Sequence, residues 1–100
     1  MLNEIISELG AYYNEKDNAL LNSKLNETTT NALFISNRDN NESNVNLLKQ
    51  EIKECVKTIY LRRGTEHNQS LNANGESATY IDPYDQLRNN IIKNGKRLVF

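Results

Sequence analysis

Val45, Leu48, Ile52, Cys55, Val56 and Ile59 fall on one face of a helical period. That spacing commits the segment to an amphipathic helix, whose apolar stripe has to be buried against other elements. Ser43 or Asn44 is the expected N-cap. Arg62 and Arg63 fall in the last turn, where cations complement the helix dipole, and Gly64 takes the position just past the end. The predicted helix covers 44–63. Lys49, Glu51, Lys53, Glu54 and Lys57 occupy its other face. Lys49–Lys53 and Lys53–Lys57 place like charges at i,i+4, and Glu51 has Cys55 rather than a lysine four residues on. These charges are expected to form a solvated face, not a set of bridges.

The remaining elements are also helical. Leu2, Ile5, Ile6 and Leu9 predict a helix over 2–9, stopped at Gly10. Residues 11–16 read as a connector, with Asp17 as a candidate N-cap. Leu21, Leu25, Thr28, Ala32 and Ile35 make one stripe over 18–36. The three central threonines weaken it, because β-branched residues lose rotamer freedom in a helix. Residues 37–42 are polar and turn-forming. Asp82-Pro83 is a strong helix start, since aspartate caps and proline suits the first helical position. Leu87, Ile91 and Ile92 give that helix, over 83–94, its apolar edge, and Asn94-Gly95 ends it. The fold class expected is mainly α: one domain, a small bundle of about four helices. A long polar loop, 64–81, precedes the last helix, and a short extended tail, 96–100, follows it.

The length of 100 residues fits a single domain with one modest core. The apolar fraction of 37% lies below the usual ~45–50%, and four glycines do not close the gap. A thin core implies that partners contribute to ordering. The net charge of −1 argues against a free-standing nucleic-acid binder, although not against a local basic cluster. The single cysteine, Cys55, excludes an internal disulfide framework and fits a reducing compartment. On the apolar stripe it reads as a small buried side chain. Leu2–Leu9 is interrupted by Asn3, Glu4 and Glu8, unlike a signal sequence, and no apolar run approaches the ~20 residues of a membrane span. The expectation is a soluble, intracellular chain with no membrane partner.

Catalytic patterns are missing. His67 is the single histidine, and no zinc-protease, CxxC, P-loop or nucleophile-elbow pattern occurs. Asp39, Glu42, Asp82 and Asp85 read as caps and solubilising groups. One histidine and scattered acids make no metal set. No enzyme, cofactor or metal is expected.

The stretch "YLRRGTEHNQSLNANGESATY" at 60–80 poses a different question, because so long a polar loop in a compact domain usually has a function. Here the chain resembles the short head–tail connector proteins of tailed bacteriophages. Those proteins carry a helix ending in Arg-Arg-Gly-x-Glu, then a Ser-x-x-x-Gly-x-Ser-x-x-Tyr stretch, a final helix and a basic end. The corresponding residues are Arg62, Arg63, Gly64, Glu66, Ser70, Gly75, Ser77 and Tyr80, with one residue more between Ser70 and Gly75 than in that pattern, followed by "DPYDQLRNNIIKNGKRLV". Two departures are His67, where the family often has glycine, and Asn74 and Glu76, where a second glycine often flanks Gly75.

The resemblance implies a non-catalytic adaptor of the phage neck, assembled in the bacterial cytoplasm and carried in the virion. It implies a homo-oligomeric, twelve-subunit ring under the portal protein. Such a ring extends the DNA channel and presents a docking surface to the stopper or tail-completion protein. Genomic DNA passes without sequence-specific binding. Ring subunits need head-to-tail contacts, which agrees with a thin core and with a polar loop that orders against a neighbour. Residues implied to touch the portal or a neighbouring subunit are the motif positions together with Arg88, Lys96, Arg97, Leu98, Val99 and Phe100. Arg62 and Arg63 read as forked donors to a neighbour's carboxylates or to Glu66, as dipole-complementing surface arginines, or as DNA contacts. The tail is either inserted into the portal rim as an added strand or packed on its own domain. Tyr80 and Tyr84 are either loop anchors with wet hydroxyls or core tyrosines. The alternative function is a small helical nucleic-acid-binding or regulatory module using Arg62, Arg63, Lys93, Lys96 and Arg97.

Overall fold

The computed structural model describes residues 1–62 and 82–99. Its helices are α1 (Leu2–Leu9), α2 (Asn18–Ser36), α3 (Glu42–Leu47), α4 (Lys49–Arg62) and α5 (Pro83–Lys93), with short 3-10 turns at Gly10–Tyr12 and Glu15–Asp17. The protein is a small, mainly α bundle. The expected 64–81 loop lies wholly outside the described residues.

α4 is the spine, packed against α1, α2 and α5. Asn14 and Asp17, before α2, bond Tyr60 near the end of α4, so α2 runs antiparallel to α4. Cys55 meets Pro83 and Glu51 meets Asn94, so α5 is antiparallel to α4 as well. Ile5, Leu21, Ile52, Val56, Leu87 and Ile91 are almost completely buried where these helices meet.

Turn chemistry fixes the ends. Asn37 adopts φ +58° after α2; its N–H donates to Phe34, and the Arg38 N–H donates to Leu33. Gly95 does the same after α5 at φ +70°, with bonds from Gly95 to Ile92 and from Lys96 to Ile91. Both are Schellman turns, which need a residue that tolerates left-handed backbone. Asp82 Oδ1 accepts from the Tyr84 N–H at 2.8 Å, with Pro83 in the first turn, as the sequence implies.

Three expectations are corrected. The helix expected over 44–63 is two helices, because Leu48 departs from helical backbone at φ −92°, ψ 4°. Its cap is Asn41, whose Oδ1 accepts from the Asn44 N–H, rather than Ser43 or Asn44. Asn44 itself donates to the Asp39 carbonyl, so local side-chain bonding competes with a straight helix there. Asp17 stands at the N-cap of α2 but makes no cap bond; its carboxylate accepts from the Tyr60 hydroxyl at 2.8 Å.

A further correction concerns the charges of α4. Lys49 pairs with Glu4, and Lys53 and Lys57 pair with Glu8, each at 2.6 Å. Lys53 is only 5% exposed. The like-charged lysines at i,i+4 therefore face acids at i,i+4 on α1, which runs in the same direction. Hydrogen bonds from Lys53 and Lys57 hold the Glu8 carboxyl down at about 2. A depressed carboxylate pKa contributes stability above its ordinary value and loses it as pH falls through the folded one. Thermal stability should therefore decline between pH 5 and 2, and Glu8→Gln should flatten that decline, measured by melting temperature against pH.

The threonines of α2 are accommodated by local bonds. Thr29 donates to Leu25 and Thr30 to Asn26, each back to the preceding turn. Thr28 Oγ1 is buried between α2 and its neighbours without a hydrogen bond of ordinary geometry. The Cys55 thiol and the Tyr84 hydroxyl are its polar neighbours.

Candidate functional site

The described site residues separate into two places. Arg62 ends α4, half-exposed, beside the start of α2. Lys96, Arg97, Leu98 and Val99 lie at the opposite end of α4, because Lys96 reaches Glu51 and Leu47. Between Glu51 and Arg62 the helix rises ~16 Å. Arg88 is exposed on α5. Arg63, Gly64, Glu66, Ser70, Gly75, Ser77, Tyr80 and Phe100 lie outside the described residues.

The tail forms a strap across the corner between α2 and α3. The Leu98 N–H donates to the Ser36 carbonyl at 2.9 Å. Asn37 Nδ2 donates to the Leu98 carbonyl at 2.8 Å, and Arg38 Nε donates to the Lys96 carbonyl at 2.8 Å. Lys96 Nζ donates to the Leu47 carbonyl and to Glu51 Oε1, each at 2.9 Å. Glu51 Oε2 also accepts from Asn94 Nδ2 at 2.6 Å.

Glu51 is the buried anchor of this arrangement, at 4% exposure. Burial pushes its carboxyl up, but the bonds from Lys96 and Asn94 outweigh burial and hold it below the ordinary value. The sequence expectation of a solvated Glu51 is therefore wrong. The available signal was its register: three residues after Leu48 and four before Cys55, Glu51 borders the apolar stripe. Ser36, Asn37, Arg38 and Leu47 were also missed, since their roles here depend on long-range contacts with the tail.

Polar groups hold the strap, and its apolar side chains face out. Val99 is 88% exposed and Phe34, beside the same turn, 80%. Leu47 and Leu98 are also exposed. Asn37, Arg97, Leu98 and Val99 line a shallow cleft of about 260 Å³. Exposed apolar side chains beside a polar cleft suit an interaction surface.

Two further titratable side chains border the core. Cys55 is buried against the Pro83 carbonyl, and burial pushes its thiol up to about 11, which keeps it protonated at neutral pH. Tyr84 packs on the core and donates from its hydroxyl to Glu27 at 2.8 Å, so that hydroxyl is bonded rather than simply wet. Among the described residues no cluster of three or more histidine, cysteine or acidic side chains is placed to hold a metal ion. None of the described helices is long and apolar enough to cross a membrane.

No family model, curated protein or solved structure matches the chain.

Proposed function

We propose that this protein is a structural adaptor of a tailed-phage neck. In this reading it is a non-catalytic subunit of a twelve-membered ring seated on the portal, extending the DNA channel and offering a surface to the stopper and tail. The connector-like signature over 60–80 and the ending "DPYDQLRNNIIKNGKRLV" support it. The observation that carries it in the fold is the strapped corner. A small domain holds its own tail by polar bonds while directing Phe34, Leu98 and Val99 outward. Such a patch is suited to burial against another protein.

The portal contact is assigned to this apolar patch. The Leu98 backbone is already bonded to Ser36 and Asn37, so strand addition at that residue would first require release of the strap. The alternative, nucleic-acid binding, uses cations that the fold distributes poorly. The Lys96 amine is taken up by Glu51, and Arg62 lies at the other end of α4.

The test is co-expression with the portal protein of the same genome. The full chain should co-purify with the portal, and a chain lacking residues 96–100 should not. Retention of the truncated chain at full stoichiometry would remove the corner from the contact. A mobility shift with duplex DNA that weakens steeply with salt would instead support the alternative.

A further inference from the structure

We propose that the C-terminal strap is exchangeable between copies: residues 96–98 of one chain seat on the Ser36–Arg38 corner of the next. This rests on the adaptor reading and names the subunit contact within it.

The corner is a peptide-binding site by construction. It reads an extended segment through the Leu98 N–H, the Lys96 and Leu98 carbonyls and one ammonium group. The segment that satisfies these groups is the protein's own tail, so a second copy brings an identical ligand. The partner is therefore fixed by chemistry already present in the chain.

The strap is also built to leave. Val99 contributes almost nothing to the core at 88% exposure, and Leu98 is more than a third exposed. Closure depends chiefly on hydrogen bonds and the Glu51–Lys96 pair, with Leu98 adding a small area of covered apolar surface. Opening of such a segment is far less costly than global unfolding. Gly95 stands at its base with φ +70°, and nothing lies within 4 Å of the place a Cβ would occupy. Glycine takes extended backbone as readily as left-handed backbone. A change at this residue redirects the strap and gives up the bonds from Gly95 and Lys96 to the last turn of α5.

Exchange preserves the tail's bonds to Ser36, Asn37, Arg38, Leu47 and Glu51 and changes which chain supplies them. The donor surface is the tail and the acceptor surface is the corner, so the contact is heterologous and propagates until it closes into a ring. A tethered tail competes at an effective concentration of order millimolar. The self-strapped monomer therefore dominates in dilute solution, and exchange appears on concentration. In the ring the strap's polar side would join neighbours, leaving Phe34 and Val99 outward.

The experiment uses the protein alone, so its outcome is separate from portal binding. One chain lacks residues 96–100 and keeps the corner. A second carries Asn37→Gly and Arg38→Ala and keeps the tail; glycine preserves the left-handed turn while removing the amide. Each should sediment as a monomer at millimolar concentration. Their mixture should give a dimer of about twice the monomer mass, which does not grow further, whereas the unmodified chain should form larger species. A mixture that sediments as monomer overturns the proposal.

A second measurement leaves the corner unaltered. A spin label on Arg97→Cys of one chain should broaden the Asn37 and Arg38 amides of an isotope-labelled chain lacking residues 96–100. The native thiol, Cys55, is buried and protonated at labelling pH. Sharp, unchanged amides would equally overturn the proposal.

Discussion

Ile52→Ala lowers the unfolding free energy by ~2–5 kcal/mol, the range for truncating a large aliphatic side chain in a packed core. Ile52 has no exposed surface and lies on α4, the helix against which α1, α2 and α5 all pack. Truncation removes the transfer free energy of three carbon groups and leaves a cavity that only partly collapses. For a domain of this size the melting temperature should fall by on the order of 10–30 °C. Urea denaturation and calorimetry would read both quantities. Ile92→Ala is the matched control, because Ile92 is 46% exposed on α5 and surface changes usually stay within about 0.5 kcal/mol. Equal effects at the two positions would contradict the placement of the core on α4.

The second large effect is at Glu51. Glu51→Ala removes the acceptor of both Asn94 and Lys96 and should destabilise the protein by ~1–3 kcal/mol. Lys96 is about a quarter exposed and regains water, which keeps the cost below that of a fully buried broken pair. The local consequence is larger than the global one. With the anchor gone, the Leu98 amide should lose most of its protection against hydrogen exchange, while amides in the middle of α4 change only in step with global stability. The same loss should develop on acidification. The Glu51 carboxyl is held below its ordinary value in the folded state, so its contribution is present above that value and lost as pH falls through the lowered one. Unchanged Leu98 protection in Glu51→Ala would show that the strap is held by Ser36, Asn37 and Arg38 alone.

Local signals in the sequence were sufficient for the helices. Periodic apolar residues located α1, α2 and α5, and Gly10, Asp82-Pro83 and Asn94-Gly95 marked their ends, because caps and left-handed turns depend on a few adjacent residues. The same local reading placed Cys55 correctly in the core. It failed where two distant segments meet. Lys49, Lys53 and Lys57 looked like a repelling solvated face until α1 supplied Glu4 and Glu8. Periodicity does not say which helix lies opposite, so a ladder of charges on one helix is ambiguous until its neighbour is placed. Asn41 and Leu48 were missed for a different reason. The Asn41 cap rests on one side-chain bond, and the turn at Leu48 keeps Val45 and Leu48 on the core, so apolar spacing alone reads straight through it.

The site followed the same division. Resemblance singled out Lys96–Val99 as contact residues, and the fold holds them at the corner that follows α2. It did not identify Ser36, Asn37, Arg38 and Glu51, which hold the tail from more than forty residues away in sequence. Nor could it reveal that Arg62 and the tail occupy opposite ends of α4.

Electron microscopy of the purified protein mixed with portal rings from the same genome examines the proposed adaptor role most directly. A closed ring of twelve added subunits, with Phe34 and Val99 at the new interface, is the expected image. Bare portal rings at saturating protein, with the added chain still monomeric, would contradict it.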